Sequence, residues 1–450
     1  MIEKKAKYKT EPLKCWPKAK ELRDEYYKEY ATAHDKGGIR WSGGAFGIEA
    51  VPAGLGRDVY PLTGEPYGAS IAFDKVFAAR CHAASEQAGH ARDLCAYMRN
   101  YWGSMLINEW PFGGGPYPRP DFYWQFHGCC SHGKWYQEAI RLSGHDLPLL
   151  VHDVGVGPYW EKDEETGVFV ARPKENRIRY LADQLHESIE QLEKITGRKY
   201  DDELLIEAAY NYFQTTTLWP EICVLNQAIP APLDEKSMFA LYVFGALNKA
   251  SGKFVSFYKE LRDEVKDRVD RGIAAVPNER ARLMSDIQPP WGFLKIFRYL
   301  EDFGVVSIGS VYTDCLMAMW QVEKDGALKP RVTPQQQEIT IKDRDHCLML
   351  LADWLLSSVW AQNFQEHTLK SFFMEKMYEQ WHCDGVLIHY NRGCEGLSLG
   401  VAEHRLHLVN KGIPVLPYEG NMGDEREFDL AETMEKINVF MESLGLSKII

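Results

Sequence analysis

The segment from Asp384 to Gly423 constrains the fold of this 450-residue chain most strongly, because its pattern predicts one complete β-α-β unit. The apolar run Gly385–His389 has the length of a buried strand. A helix-length segment follows and closes at Gly412, a residue suited to a helix C-terminus. The run Ile413–Leu416 then predicts a second, parallel strand. Parallel strands connected in this way indicate an α/β fold.

Cys394 lies between the first strand and the helix of this unit. The residues Asn391, Arg392 and Gly393 predict a turn that leads into it. Ligands of open α/β sheets bind outside the carboxyl ends of the strands. The positive end of a helix there would favour a thiolate or an anionic cluster. Cys394 is therefore a candidate functional residue.

A similar pattern occurs earlier in the chain. The run Asp121–His127 alternates in a way that predicts a strand, and it leads to Cys129 and Cys130. Ser131 can then cap a helix, and Leu147–His152 predicts the strand that follows it. The order of strand, cysteine, helix and apolar strand thus repeats the order found around Cys394.

This repeat predicts two Rossmann-like parallel-sheet domains, each with a cysteine at the carboxyl edge of its sheet. If the two edges face each other, both thiols reach one cleft. A Gly-rich stretch, Trp41–Gly47, is expected to be a loop, because it lacks the Lys-Ser/Thr of a phosphate-binding loop and no strand signal precedes it. The predicted divisions are an N-terminal extension (1–50), a first α/β domain (51–158), a mainly helical segment (159–280) and a second α/β domain (281–450).

The composition excludes several classes of protein. A hydrophobic content of 45% and a charged content of 26% are typical of globular chains. The formal net charge of -12 argues against nucleic acid as the main partner. No apolar run reaches the roughly 18 residues of a membrane-spanning helix, and the N-terminus lacks the apolar region of a secretory signal. We therefore expect no membrane partner and a cytoplasmic location.

The ten cysteines include no CxxC pair, which argues against a zinc ribbon and a ferredoxin-type run. Any metal must be held by ligands from distant segments. Most lone cysteines are small buried hydrophobic residues. We expect that role for Cys15, Cys81, Cys223, Cys315, Cys347 and Cys383.

The chain resembles the D-component family of 2-hydroxyacyl-CoA dehydratases and benzoyl-CoA reductases over most of residues 51–450. The resemblance is strongest in DGVLIHYNRGCEGLSLG, GIPVLPYEGNMGDEREFD and RLMSDIQPPWGFLKIFRYLEDFGVVSIGS. Within that family, PRPDFYWQFHGCCSHGKWYQE most resembles the larger cluster-bearing subunit of ATP-dependent benzoyl-CoA reductases.

The resemblance implies a low-potential [4Fe-4S] cluster at the interface of the two domains, held by three cysteines from separated motifs. Cys95 matches the first motif and Cys394 the third. Cys130 is the preferred match to the second, because it lies nearer the helix start, and Cys129 is the alternative. Zinc also accepts thiolates, but three remote cysteines without structural zinc spacing fit a cluster better.

The resemblance also implies a function. It is the reduction of the benzoyl-CoA ring, or that of a related acyl-CoA, to a cyclic diene in anaerobic aromatic degradation. The implied partners are a paralogous smaller cluster-bearing subunit and ATP-hydrolysing iron-sulfur activator subunits that deliver single electrons. Two alternatives remain: a subunit of a 2-hydroxyacyl-CoA dehydratase, which is a lyase, and a non-catalytic scaffold. The residues that bind the acyl-CoA are not evident from the sequence.

Protons must follow the electrons, and His127, His132, His389 and Tyr390 lie next to the proposed ligands. We expect each one singly to be a hydrogen-bonding residue more often than a proton donor. His132 is the first candidate for a catalytic donor, because it follows Cys130 at the helix start. Aromatic residues could shelter the cluster, although core packing is expected for most of them. The candidates for this lining are Tyr123, Trp124, Phe126, Trp135 and Tyr136.

Overall fold

The structure is a computed structural model that describes residues 7–155, 157–363 and 366–449. Its strands are β1 (Lys9–Thr10), β2 (Ile39–Gly43), β3 (Val59–Thr63), β4 (Phe122–Phe126), β5 (Leu149–His152), β6 (Trp160–Lys162), β7 (Phe169–Ala171), β8 (Ile273–Ala274), β9 (Ala281–Ser285), β10 (Val305–Ser310), β11 (Trp320–Val322), β12 (Leu328–Pro330), β13 (Gly385–Asn391) and β14 (Val415–Gly420).

The helices alternate with these strands or form layers around them. They are α1 (Trp16–Thr32), α2 (Ala50–Ala53), α3 (Gly64–Phe73), α4 (Lys75–Gln87), α5 (Ala96–Ile107), α6 (His132–Ser143), α7 (Glu175–Thr196), α8 (Asp202–Leu225), α9 (Glu235–Leu241), α10 (Val243–Leu247), α11 (Gly252–Asp270), α12 (Lys295–Glu301), α13 (Val311–Cys315), α14 (Arg344–Leu356), α15 (Val359–Asn363), α16 (Thr368–Gln380), α17 (Val401–Asn410) and α18 (Leu430–Ser443).

Two four-stranded parallel sheets confirm the predicted α/β fold. The first has the order β3-β2-β4-β5 and the second the order β10-β9-β13-β14. In each sheet, the first strand along the chain pairs with both the second and the third, and the fourth strand lies at the edge. The two sheets therefore share one topology, as the repeated sequence pattern predicts. Their last two strands are joined through α6 and α17, respectively.

The first sheet begins earlier in the chain than the predicted domain boundary at residue 51. Strand β2 lies within residues 1–50 and pairs with β3 on one side and β4 on the other. The prediction of a loop over Trp41–Gly47 is therefore wrong for its first three residues. This part of β2 lies inside the sheet, and a Cβ at Gly43 would be 1.9 Å from the Trp124 carbonyl oxygen. Glycine is required there by a close backbone approach.

The sequence of Ser85–Ile107 predicts one helix that carries Cys95, but the structure has two helices there. The first, α4, ends at Gln87, and Gly89 with a φ of +94° follows it. The second, α5, begins at Ala96. Cys95 therefore precedes a helix N-terminus instead of lying in a helix interior. Similarly, α17 begins seven residues after Cys394, so Cys394 lies in a loop and not at the helix start as predicted.

The segment 159–280 is mainly helical, as predicted, with the short antiparallel pair β6–β7 at its start. Helix α7 packs on α14, and α8 packs on both α11 and α14. The sequence predicts an apolar face of α7 over Leu181, Leu185, Ile189, Leu192 and Ile195, and the first four are buried. Strand β1 pairs with β8, which ties the start of the described chain to the end of this segment.

Six cysteines have the structural role expected of them, because Cys15, Cys81, Cys223, Cys315, Cys347 and Cys383 are all buried. Among the described residues, none of the helices has both the length and the apolar character needed to cross a membrane.

Candidate functional site

Three cysteines from three separate segments line one cavity, which we call the thiol cavity. Cys95 precedes α5, Cys129 lies between β4 and α6, and Cys394 follows β13. The fold thus brings these thiols to one place, and Cys95 and Cys394 are two of the three that the family resemblance groups together. The other lining residues are Phe46, Glu65, Tyr97, Ser131, His132, Trp135, Gln288, Tyr312, Leu316, Gly396, Leu397 and Met422.

Cys130, the preferred second ligand in the sequence prediction, does not line this cavity. Its side chain is exposed, and its Sγ donates a hydrogen bond to the Glu395 carboxylate over 2.5 Å. Adjacent residues in the loop before α6 have different directions, so nearness to the helix start did not decide which thiol faces inward. The alternative, Cys129, is the residue that joins Cys95 and Cys394.

Backbone hydrogen bonds hold two of the cysteine loops together. The Ala96 N–H donates to the Gly393 carbonyl oxygen over 3.2 Å, which connects the residues next to Cys95 and Cys394. The Asn391 side-chain oxygen accepts from the Gly393 N–H and from the Met422 N–H, each over 3.0 Å. These bonds fix the positions of Cys95 and Cys394 relative to each other.

The Cys394 sulfur accepts two hydrogen bonds from this chain. The Gln288 Nε2 lies 3.3 Å from Cys394 Sγ and the Leu397 backbone nitrogen 3.4 Å from it. Burial raises the pKa of the Cys394 thiol, and these donors oppose that shift. Burial also raises the pKa of Cys95 well above its usual value, and the neighbouring Cys394 thiol raises it further. A positive group bound between the two sulfurs would favour their thiolate forms.

Cys129 has a different environment, because it lies beside His132. Burial raises the pKa of the Cys129 thiol, but the His132 imidazolium outweighs burial and leaves that pKa below its usual value. The Nε2 of His132 is hydrogen-bonded to the Glu65 carboxylate. The Glu65 carboxylate in turn accepts from the Ala45 N–H over 2.8 Å. Cys129, His132 and Glu65 therefore form a chain of charged groups along one wall of the thiol cavity.

Of the four candidate proton donors, only His132 is among the residues that line the thiol cavity. His127 is exposed and outside it. His389 is buried; its Nδ1 lies 2.7 Å from the Gln288 carbonyl oxygen, and its ring stacks on Tyr418. The proposed donor role of His132 stays a prediction. A proton donor must lie beside the reacting group, and His132 lines the thiol cavity.

The aromatic candidates mostly pack in the core, as expected. Tyr123, Trp124, Phe126 and Tyr136 are buried away from the thiol cavity, and Trp135 alone of the five lines it. Sequence reasoning missed three aromatic lining residues, namely Phe46, Tyr97 and Tyr312. A signal existed for Tyr97, which follows Cys95 by two positions. Phe46 and Tyr312 come from distant segments, so no local pattern indicated them.

A buried ion pair supports the Cys394 loop and was also missed. Lys370 Nζ lies 3.8 Å from the Asp286 Oδ2 and donates to the Leu397 carbonyl oxygen over 2.9 Å. Both charged side chains are almost fully buried. Burial lowers the pKa of Lys370, and Asp286 opposes that shift. A cation is thus held behind the loop that carries Cys394.

The donor set fits a cluster better than a single ion. No group of three or more His, Cys, Asp or Glu side chains in the described residues could hold one metal ion. The three thiols line one cavity, which suits a group with a separate iron for each cysteine. The thiol cavity has a volume of about 40 Å³, which suits a small group. In the described part of the chain, two buried lining atoms, His132 Nδ1 and Trp135 Nε1, have no hydrogen-bond partner.

Comparison with known proteins identifies the family of this chain. The family model of the 2-hydroxyglutaryl-CoA dehydratase D-component matches residues 69–444. That range contains all three cysteines of the thiol cavity and both four-stranded sheets except β2 and β3.

Individual relatives fall into two functional groups. The (R)-2-hydroxyisocaproyl-CoA dehydratase alpha subunit of Clostridioides difficile is 24% identical over 94% of this chain and 93% of its own length. The (R)-phenyllactyl-CoA dehydratase alpha subunit of Clostridium sporogenes is 23% identical over 81% of this chain and 80% of its own. A benzoyl-CoA reductase subunit of Thauera aromatica is 24% identical over 80% of this chain and 78% of its own.

Proposed function

The chain belongs to the family of the 2-hydroxyglutaryl-CoA dehydratase D-component, and we propose that it is the cluster-holding subunit of a benzoyl-CoA reductase. In this proposal, Cys95, Cys129 and Cys394 hold a [4Fe-4S] cluster, which supplies single electrons at low potential when bound. The observation that carries the proposal is the convergence of these three cysteines on one sheltered cavity.

The walls of the thiol cavity suit an aromatic substrate. Phe46, Tyr97, Trp135 and Tyr312 supply four aromatic side chains around the cysteines. Each of the four is buried, so these walls exclude water from the reacting group. An added electron is costly for an aromatic ring, and exclusion of water keeps it from reaching competing acceptors.

His132 would hold the proton that follows the electron. Burial lowers its pKa, but Cys129 and the Glu65 carboxylate raise the pKa well above its ordinary value, so the imidazole carries a proton near neutral pH. The Glu65 carboxylate orients the ring through Nε2, which leaves the buried Nδ1 as the atom that would donate the proton.

The proposal includes partners, because the chain has no recognisable nucleotide-binding loop. The relatives named above are subunits of larger enzymes. We propose that a paralogous smaller subunit with its own cluster assembles with this chain. ATP-hydrolysing iron-sulfur activator subunits would supply the electrons.

A 2-hydroxyacyl-CoA dehydratase is the second candidate, because the match to one such relative covers 94% of this chain. The two reactions differ in their use of electrons. A reductase consumes electrons, and therefore ATP, in every turnover, whereas a dehydratase returns its electron and needs ATP only for activation.

The test is to incubate the reconstituted complex with benzoyl-CoA and, separately, with 2-hydroxyisocaproyl-CoA, and to count the ATP hydrolysed per product formed. We expect a cyclic diene product from benzoyl-CoA with a fixed ATP stoichiometry. Turnover of the hydroxyacyl thioester with much less than one ATP per product would identify a dehydratase instead.

A further inference from the structure

The thiol cavity is too small to receive a whole acyl-CoA by itself. Its enclosed space is about 40 Å³, whereas pockets for small molecules usually have about 300–1,000 Å³. An acyl-CoA must therefore occupy an adjoining space and reach the cysteines through an opening in the cavity wall.

A surface cleft of about 630 Å³ adjoins the thiol cavity, and we call it the Trp102 cleft. Leu94, Met98, Trp102, Cys130, Lys134 and Glu395 are among its lining residues. Ser131 lines both spaces. In addition, Leu94 and Cys130 of the cleft directly adjoin Cys95 and Cys129 of the cavity in sequence. The loops before α5 and before α6 thus contribute to the lining of both spaces.

The chemistry of the Trp102 cleft suits a long thioester with an anionic end. Leu94 is partly exposed and, with the almost fully buried Met98 and Trp102, makes the lining apolar where an acyl or pantetheine arm would lie. Glu138 pairs with His90 and with Arg141, so these charges are already compensated. Lys134 is exposed and has no ion pair in the described residues, which leaves it available to a phosphate.

One hydrogen bond connects two cysteine loops within the lining of the Trp102 cleft. Cys130 Sγ donates to the Glu395 carboxylate over 2.5 Å. Cys130 belongs to the loop after β4 of the first sheet, and Glu395 follows Cys394 after β13 of the second sheet. The bond therefore joins the two cysteine loops at the residues that follow Cys129 and Cys394, and both of its residues are exposed.

We propose that the Trp102 cleft receives the thioester arm of the substrate, an inference that rests on the proposed acyl-CoA substrate. We propose further that the Cys130–Glu395 contact is the gate through which this arm reaches the thiol cavity. The adjacent cysteines then have separate roles. Cys129 faces the cavity, and Cys130 faces the substrate route. This division accounts for the vicinal pair, of which the cavity uses only one member.

A second cleft offers a matched control. It has about 690 Å³ and contains Lys162, which is exposed and has no ion pair in the part of the chain that the structure describes. It shares no lining residue with the thiol cavity. A cation in this Lys162 cleft should therefore not affect a substrate that enters beside Cys130.

The first experiment uses protection of a single thiol. Cys130 is the one exposed cysteine of the described residues, so its alkylation by N-ethylmaleimide can be followed by peptide mass spectrometry. The full chain is purified anaerobically in its complex, and benzoyl-CoA or 2-hydroxyisocaproyl-CoA is added at saturation. Binding of each thioester is measured in parallel by equilibrium dialysis. We expect the bound thioester to slow the alkylation of Cys130 at least about fivefold.

The second experiment compares variants. Lys134→Glu should weaken thioester binding by roughly tenfold, and Lys162→Glu should leave the Kd unchanged. Cys130→Ala removes the gate contact and should speed thioester association in stopped-flow measurements. Cys130→Ser retains a hydroxyl donor to Glu395 and should preserve the rate of the unmodified chain.

Binding without protection of Cys130, or a loss of affinity in Lys162→Glu with none in Lys134→Glu, would overturn the proposed route while leaving the proposed function intact. An unchanged association rate in Cys130→Ala would overturn the gate. Absence of binding by either thioester would overturn the proposed function, and the route with it.

Discussion

Replacement of Arg99 by methionine should loosen the contact between the Cys95 helix and the second sheet. Arg99 lies in α5 and is fully buried. Its Nε donates to the Leu94 carbonyl oxygen, directly before Cys95, over 3.2 Å. Its NH2 nitrogen donates over 3.1 Å to Asp424, which follows β14. One side chain thus connects the first cysteine motif to the part of the chain that carries Cys394.

The magnitude follows from the burial of both partners. Asp424 is 2% exposed, and removal of one member of a buried pair typically costs about 3–5 kcal/mol. Arg426 still pairs with Asp424 over 2.6 Å in the variant, which reduces the penalty. We therefore expect Arg99→Met to lower the free energy of unfolding by about 3 kcal/mol, near the lower end of that range.

The assay is urea unfolding followed by tryptophan fluorescence, with Arg262→Met as the matched control. Arg262 forms its ion pairs at the surface, with 36% of its side chain exposed, so its loss should cost about 1 kcal/mol or less. Equal shifts of the unfolding midpoint in the two variants would refute the reasoning, because they would mean that the buried contact contributes no more than a surface pair.

Three further predictions concern residues away from the thiols. Burial raises the pKa of Glu235 from 4.5 to about 8. The folded state therefore holds a proton that the unfolded state releases, so the free energy of unfolding in urea should fall between about pH 4.5 and about pH 8. Glu235→Gln should reduce this pH dependence. Gly103→Ala should lower the free energy of unfolding by at least about 2 kcal/mol, because the added Cβ would lie 2.2 Å from the Cys81 carbonyl oxygen. The control Gly252→Ala, whose added Cβ has its nearest contact at 3.6 Å, should change that free energy by no more than about 0.5 kcal/mol in the same thermal unfolding assay. Lys249→Met leaves a buried carboxylate without its 2.7 Å partner and should destabilise by about 3 kcal/mol, whereas loss of the half-exposed Lys253 should cost about 1 kcal/mol or less in the same urea assay.

The sequence predicted those parts of the fold that have a local signal. The strands β4, β5, β13 and β14 are marked by alternation or by short apolar runs with glycine nearby, and the structure places each of them as parallel neighbours. Strand β2 has no such signal, because Arg40 and two small polar or glycine residues interrupt it. Its pairing with two other strands creates it, and that pairing depends on residues far along the chain.

The candidate site was predicted in part for a related reason. Resemblance to a family identifies the motifs around Cys95 and Cys394, and the fold brings those two residues together. It does not decide between Cys129 and Cys130, because the direction of a side chain in a loop depends on tertiary contacts. Here, Cys129 lies near His132 and Glu65 in the lining of the thiol cavity, and Cys130 is hydrogen-bonded to Glu395 outside that cavity. Neither partner set is visible from local sequence.

The most direct test of the account is the iron and acid-labile sulfide content of the anaerobically purified complex with Cys129→Ser or Cys130→Ser in this chain. We predict that Cys129→Ser loses the cluster of this subunit and that Cys130→Ser retains it with an unchanged electron paramagnetic resonance spectrum. Loss of iron from Cys130→Ser with full retention in Cys129→Ser, or a chain without iron before any substitution, would contradict the central claim that Cys95, Cys129 and Cys394 together hold a cluster.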